Sequence, residues 1–291
     1  MSIVKSFSVE EGDTFYIRHR SDSFSIIDCN LIDSRKDEII SELNDQSSDK
    51  GVIRFISTHP DEDHIHGLEY LDNSKSIVNF YCVKNGVTKS DETDSFKRYC
   101  KLRDSDKAFY ISKGCTRRWM NQNDDTRKSA SINILWPDLN NQSFKDALKY
   151  AEETGKPNNI SPILSYSMGD IKIVWMGDLE TEYMESIYKN VSLSDVTVLF
   201  APHHGRESGK VPSDFLSILN PKIVIIGEAP SEDLNYYKGY NTITQNSAGD
   251  ITLDIDDSII DVYVSNRDYS VDFLRDNNKT AFEYYLGTLE I

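Results

Sequence analysis

The run Phe55-Ile-Ser-Thr-His59-Pro-Asp61-Glu-Asp63-His64-Ile-His66-Gly67 places ligand-type side chains directly after a strand-like segment at 52–57. Alternate residues of an extended segment point to the same side, so His59 and Asp61 can bind one cation. Asp63 and His64 stand where the chain bends into a helix and can bind a second. Mixed imidazole and carboxylate ligands suit Zn²⁺ or Mn²⁺. Taken singly, Asp61 or Asp63 could instead cap a helix beside surface histidines. That reading explains four such residues at this spacing poorly.

Two further segments carry side chains of the same types. Five of the six histidines lie within 58–67 and 202–205, and the second of these reads Pro202-His203-His204-Gly205 after an apolar run. Another apolar run ends in Gly177-Asp178. A Gly-Asp pair after a strand is more often a turn, so this signal is weak alone. Together, the three segments place ligands at strand ends, where α/β proteins gather their sites, and predict a metal site.

Composition bounds the class of protein. The chain has 291 residues, 38% of them hydrophobic, and a net charge of −16. This excess of negative charge disfavours non-specific binding along a nucleic-acid backbone, because such binding needs Lys and Arg. We expect most of the acidity to be solvated surface and part of it to serve the metal site. No signal peptide or stretch of about 18–20 apolar residues is evident, which predicts a cytoplasmic protein without a membrane span. The cysteines show no metal-type spacing and are expected to be free thiols: Cys29, Cys82, Cys100 and Cys115.

Strand patterns fall into two groups with helical patterns between and after them, which predicts two sheets packed face to face with helices outside. The predicted strands are 6–9, 14–19, 24–29, 52–57, 77–83, 108–112, 132–136, 163–167, 171–176, 196–201, 223–227, 251–255 and 259–264. Helices are expected at 34–43, 67–71, 93–102, 143–153, 180–190 and 212–219. Residues 84–131 are interpreted as a polar insertion, and the aromatic tail 266–291 as an extension docked on the body.

On these motifs the chain resembles the metallo-β-lactamase superfamily, and most closely the hydrolase domain of bacterial competence (DNA-uptake) channel proteins. The resemblance covers roughly residues 6–265. It implies an α/β, four-layer αββα sandwich of two mixed sheets with helices outside, formed by residues 1–265. Its markers are Gly12-Asp13, Ile27-Asp28-Cys29, Ser57-Thr-His-Pro-Asp-Glu-Asp-His64, Asn158-Asn159-Ile-Ser161, Met176-Gly-Asp178, Ala201-Pro-His-His-Gly205 and Gly249-Asp250-Ile251.

The resemblance also implies a ligand set. His59 and Asp61 would bind the first metal, and Asp63 and His64 the second, with Asp178 bridging the two. One residue of the pair His203 and His204 would be a ligand, and the other would contact substrate. The implied cofactor is one or two divalent ions, Zn or Mn. The catalytic candidates are Asp63, His204 and Arg206.

The chain departs from the family pattern at several positions. Asp61 stands where the superfamily usually has His, a replacement that the competence-type branch shares. No histidine lies between His66 and His203 to complete the first metal site. Asn159 occupies the matching stretch, and with Ser161 it is a candidate substrate contact.

Two other departures flank the ligands. His66 replaces a glycine of the family pattern, and it either faces solvent or acts as an outer-sphere group. Arg206 replaces a serine, and it either clamps a phosphate or pairs with Glu207.

The resemblance favours a metal-dependent phosphodiesterase or nuclease that uses a metal-bridged hydroxide on a nucleic-acid or nucleotide substrate. Asp63 would orient the hydroxide, and the non-ligand histidine would donate hydrogen bonds. The basic stretch 117–128 is either a strand-binding rim or a solvated face. Because the fold hosts several chemistries, two alternatives stay open. One is a hydrolase of small phosphoesters, lactones or thioesters, and the other is a module that binds a protein partner.

Overall fold

The protein is described by a computed structural model that covers residues 1–291. It contains fifteen strands and eight α-helices. The strands are β1 (Ser2–Ser6), β2 (Phe15–Arg18), β3 (Ser23–Ile27), β4 (Val52–Ile56), β5 (Phe80–Cys82), β6 (Ala108–Tyr110), β7 (Ile132–Trp136), β8 (Ile163–Met168), β9 (Ile171–Trp175), β10 (Val198–Phe200), β11 (Ile223–Ile226), β12 (Thr242–Thr244), β13 (Ile251–Asp256), β14 (Ile259–Val264) and β15 (Tyr284–Glu290). The helices are α1 (Lys36–Ser47), α2 (Glu62–Ile65), α3 (Leu68–Ser74), α4 (Asp94–Arg103), α5 (Gln142–Thr154), α6 (Thr181–Ile187), α7 (Ser213–Leu219) and α8 (Gln245–Ala248). No helix is both long enough and apolar enough to span a bilayer.

The strands form two mixed sheets. The first has the order β15-β14-β13-β1-β2-β3-β4-β5-β6, in which β3 to β6 run parallel and the other neighbours antiparallel. The second has the order β12-β11-β10-β9-β8-β7, in which β9 to β12 run parallel. Parallel strands are covered on both faces, which explains why β3, β10 and β11 are continuous buried runs.

The two sheets share one hydrophobic core. The ring of Phe15 on β2 lies 4.9 Å from the ring of Phe200 on β10 and 6.2 Å from that of Trp175 on β9. The cluster of buried apolar side chains extends through both sheets. The predicted fold class is therefore confirmed: two mixed sheets with helices form an α/β architecture consistent with a metallo-β-lactamase-like sandwich.

Strand ends from both sheets meet at one edge. The parallel pair β3 and β4 ends just before Asp28 and Thr58, and the parallel pair β9 and β10 ends just before Gly177 and Ala201. The backbone N–H of His203 donates to the carbonyl of Gly177 at 3.0 Å, which ties the last two strand ends together. This edge positions the three ligand-bearing segments of the sequence.

The strands at both ends of the chain differ from the predicted ones. The predicted strand 6–9 is wrong beyond Ser6, the last residue of β1: residues 7–9 form a loop in which the N–H of Ser8 donates to the Asp250 side chain instead of to a neighbouring strand. The first strand lies earlier, at β1. The tail 266–291 contains a strand that the sequence did not predict, since β15 pairs antiparallel with β14 and becomes the edge of the first sheet. Segment 84–131 also contributes an edge strand, β6.

Asp250 connects three segments of the first sheet. Its Oδ1 accepts from the Ser8 N–H at 2.8 Å and from Arg35 Nη1 at 2.7 Å, and its Oδ2 accepts from Arg35 Nη2 at 2.9 Å. Lys5 adds an ion pair at 3.6 Å. Burial opposes ionisation, but the hydrogen bonds from Arg35 and Ser8 hold the pKa of Asp250 below its usual value.

We expect Asp250→Asn to destabilise the protein by about 2 kcal/mol at pH 7. A carboxyl group with a lowered folded-state pKa contributes stability above its unfolded-state pKa of about 3.9. That contribution is lost as the pH falls through the lower folded-state value. The difference between wild type and variant in urea unfolding should therefore be constant near pH 7 and shrink below about pH 4. An exposed control, Asp45→Asn, should show neither effect, and a difference that does not change with pH would contradict the assignment.

Candidate metal centre

The loop after β4 delivers the first group of side chains. His59 is buried at the strand end, and Asp61 precedes the short helix α2, which carries Asp63 and His64. Asp61 is extended and makes no side-chain capping bond to the helix. Asp61 is therefore the N-cap residue of α2 by position, but its carboxylate does not cap the helix.

Asp178 lies at the centre of the site, with 2% of its surface exposed. Its Oδ1 is 3.0 Å from Nε2 of His64. Its Oδ2 is 3.5 Å from Nε2 of His203, 3.6 Å from that of His204 and 3.8 Å from that of His59. One carboxylate thus faces His59, His64, His203 and His204, which lie in two distant segments of the sequence.

The most compact set of ligand atoms comes from Asp13, His64, Asp178 and His204, whose donor atoms all lie within 4.8 Å of one another. No other group of three or more His, Cys, Asp or Glu side chains in the chain meets this condition. Asp13 was not among the predicted ligands, since its Gly-Asp pair served only as a marker of the resemblance. Asp63 adjoins the set, with Oδ2 3.4 Å from Nε2 of His204.

The remaining predicted first-site residues are less closely assembled. Nε2 of His59 is 3.6 Å from Oδ2 of Asp61, and the other oxygen of Asp61 accepts from Nζ of Lys89. Both polar atoms of the Asn159 side chain are hydrogen-bonded to Glu180. The nitrogen donates to Glu180 Oε2 at 2.7 Å, and the oxygen accepts from the Glu180 N–H at 3.0 Å. Nothing in the sequence pointed to Lys89, which belongs to the polar segment 84–131.

Ser161 faces protein groups on both sides. Its Oγ lies 3.3 Å from Nδ1 of His59 and accepts from the N–H of Asp178 at 3.2 Å. These contacts support the two ligand segments from behind, and Ser161 is completely buried.

Hydrogen bonds to Nδ1 fix the orientation of the histidine rings. Nδ1 of His64 donates to Oδ2 of Asp28 at 2.9 Å, and Nδ1 of His204 donates to Oδ1 of Asp13 at 3.2 Å. Nδ1 of His59 lies 3.0 Å from Oγ1 of Thr58, whose hydroxyl donates to Asp28 at 2.6 Å. A proton held on Nδ1 would leave Nε2 of each ring available to a cation, the arrangement usual for metal-binding histidines.

Several atoms at the centre lack any hydrogen-bond partner. They are Nε2 of His59, His64 and His204 and Oδ1 of Asp178, and all are buried. Buried polar atoms are normally paired, so four unpaired ligand atoms around one carboxylate need an explanation. A divalent cation fits, because imidazole nitrogen and carboxylate oxygen are its common protein ligands. The roles of individual residues as ligands stay predictions.

The imidazole rings of the site lower the pKa values of the neighbouring carboxyl groups. Burial would raise the pKa of Asp178, but His64, His204 and His59 hold it well below its usual value. Burial likewise opposes ionisation of Asp63, yet the neighbouring imidazoles of His204 and His64 lower its pKa to about 2. Both carboxylates are therefore ionised at neutral pH, the form that binds cations.

Unusual backbone conformations aim the rings. His203 and His204 have φ values of 51° and 56°, in the left-handed region that non-glycine residues rarely adopt. Gly177, just before Asp178, has φ 50°, and a Cβ there would approach Oγ of Ser161 to 2.7 Å. Strain of this kind clusters at functional sites and is maintained by the surrounding structure.

Arg206 and His66, the two departures from the family pattern that flank the ligands, each pair with a glutamate. Nη2 of Arg206 pairs with Oε2 of Glu11 at 2.7 Å instead of with Glu207. The ring of His66 lies 3.2 Å from Glu62, with 44% of the side chain exposed, so it faces solvent and contacts none of the ligands.

No protein-family model and no curated protein matches the chain. Among solved structures, the chain is similar to CmlA, a diiron beta-hydroxylase from Streptomyces venezuelae, with a TM-score of 0.43 and 11% sequence identity. The similarity covers 78% of this chain and 44% of that chain. The chain therefore spans less than half the length of that structure.

Proposed function

We propose that the protein is a metal-dependent hydrolase. The supporting observation is the set of buried, unpaired ligand atoms around Asp178. Asp13, His64, Asp178 and His204 would hold the cation, since their donor atoms form the compact set. A bound divalent cation polarises the bond to be cleaved and lowers the pKa of water to about 7.

The two adjacent histidines would divide their roles by position. His204 is buried and belongs to the compact set, so we assign it as the ligand. His203 is more exposed, and Oγ of Ser208 lies 2.9 Å from its Nδ1 and fixes its ring. His203 is therefore the one that would contact substrate. Asp63, ionised and at the mouth of the site, would accept a hydrogen bond from the attacking water.

A phosphodiester is the bond we propose, on the strength of the sequence resemblance to the competence-type hydrolases. The surroundings favour a small substrate over a nucleic-acid strand. An open cavity of about 580 Å³ beside Asp63 is lined by other acidic groups: Glu10, Glu11, Asp33 and Glu62. These groups would repel a polyanion.

One residue of the basic stretch 117–128, Arg127, lies away from the metal centre. Arg127 stacks on the ring of Trp119 and pairs with Asp22 at 2.7 Å. Asp22 precedes β3, whereas the metal centre lies past the other end of that strand. Arg127 is thus engaged at the end of β3 that is remote from the metal centre, which speaks against its use in binding a nucleic-acid strand there.

The test is turnover of bis-(p-nitrophenyl) phosphate by the metal-stripped protein reloaded with Zn²⁺, Mn²⁺ or Fe²⁺. We expect turnover with at least one ion, none after chelation, and a loss of roughly 100-fold or more in His204→Ala. Lys149→Ala is the control, because Lys149 is exposed on α5 and pairs with Glu153, and it should retain activity. A short DNA duplex should be cleaved more slowly than the small diester.

Turnover of p-nitrophenyl acetate or a lactone, with none of the diester, would replace the phosphodiester by the ester alternative. The absence of metal-dependent turnover on all of these substrates would contradict a hydrolase.

A further inference from the structure

One side of the metal centre has a positive charge of its own. Nζ of Lys89 donates to Oδ1 of Asp61, and the two side chains are 23% and 27% exposed. The aliphatic stem of Lys89 is placed by its surroundings, with the ammonium 5.8 Å from the ring centre of Phe96. Asp61 is thereby held by a protein cation at the oxygen that faces away from His59.

A cation between His59 and Asp61 would have to share Asp178, whose Oδ2 is 3.8 Å from Nε2 of His59, with the cation at the compact set. No histidine lies in the chain between His66 and His203. Both polar atoms of the Asn159 side chain are bonded to Glu180, so that amide is already engaged. Neither His59 nor Asp61 belongs to the one compact set of ligand atoms in the chain.

We propose that the centre holds one divalent cation, and that the ammonium of Lys89 stands in for the second. This one cation binds at Asp13, His64, Asp178 and His204, and the second position, at which no ion binds, is the one between His59 and Asp61. Lys89 neutralises Asp61 and repels a further ion, because two positive groups would have to share one carboxylate. In two-metal hydrolases the second ion helps to neutralise charge on the substrate. Lys89 would supply part of that charge permanently. The inference rests on the proposed function only in requiring that metal binds.

The test is the number of manganese ions bound per chain. Metal-stripped protein is titrated with Mn²⁺, bound metal is quantified by elemental analysis after gel filtration, and the bound ions are examined by electron paramagnetic resonance. We expect one ion per wild-type chain, with the spectrum of an isolated Mn²⁺. Lys89→Met keeps the length of the side chain and removes the charge, and it should bind a second ion with a spin-coupled spectrum. Lys89→Met combined with Asp61→Asn should return to one ion.

Lys97→Met is the matched control, because Lys97 is exposed on α4 and pairs only with Asp94. It should bind one ion, like the wild type. Two tightly bound ions in the wild type would overturn the inference and leave metal-dependent hydrolysis standing. One ion in a correctly folded Lys89→Met protein would also overturn it. No bound ion in any protein would overturn the proposed function as well.

Discussion

Asp178→Asn is expected to weaken the binding of Zn²⁺ or Mn²⁺ by more than about 100-fold, which corresponds to about 3 kcal/mol. Removing an outer partner of a metal ligand typically costs about 10–100-fold, and Asp178 is placed to be a direct ligand. Its two oxygens face the Nε2 atoms of all four histidines at 3.0–3.8 Å. An amide at this position removes the central negative charge and turns a donor group toward the imidazole lone pairs.

Affinity should be measured by competition with a chromophoric chelator, with circular dichroism as a check that the variant is folded. Asp170→Asn is the matched control, since Asp170 is an exposed aspartate in the turn between β8 and β9. It should leave affinity unchanged. Wild-type affinity in a folded Asp178→Asn protein would contradict the placement of Asp178 at the centre.

The parts of the fold that the sequence predicted best are those with a strong local pattern. Mainly apolar runs indicated β4, β9 and β11, and the ligand-type residues that follow β4 and β9 lie at the metal centre. The tail was harder, because β15 exists through pairing with β14 and carries aromatic residues that also suit a docked loop. A strand that depends on its neighbour gives a weak signal in its own sequence.

The site shows the same division between local and distant information. His59, Asp63 and His64 are visible as one short motif, but the carboxylates that orient the rings of His64 and His204 are remote in sequence. Asp13 meets His204 across 191 residues of sequence, and Lys89 meets Asp61 from a segment interpreted only as a polar insertion. Spacing along the chain cannot show such contacts, since they arise when the strand ends of two sheets are brought to one edge.

Asp28→Asn is expected to weaken metal binding by about 10–100-fold, less than Asp178→Asn, although Asp28 is no ligand. Asp28 is fully buried and accepts three hydrogen bonds: from the Thr58 N–H at 2.7 Å, from Thr58 Oγ1 at 2.6 Å and from His64 Nδ1 at 2.9 Å. A carboxylate can accept all three, whereas an asparagine side chain offers only one acceptor oxygen. In either orientation of the amide, its NH2 group faces at least one of the groups that donate a hydrogen bond to Asp28 in the wild type.

The consequence for the metal centre depends on the tautomer of His64. If the nitrogen of the introduced amide faces the ring, Nδ1 must become the acceptor and the proton moves to Nε2, the atom that points at Asp178. A protonated Nε2 cannot bind a cation, so affinity falls although every ligand is still present. Nitrogen-15 NMR of the imidazoles in the presence of Zn²⁺ should show a proton on Nε2 of His64 in Asp28→Asn and a proton on Nδ1 alone in the wild type. An unchanged His64 tautomer together with wild-type metal affinity would show that Asp28 serves folding alone. A changed tautomer with weakened binding would establish that Asp28 positions His64 for the cation.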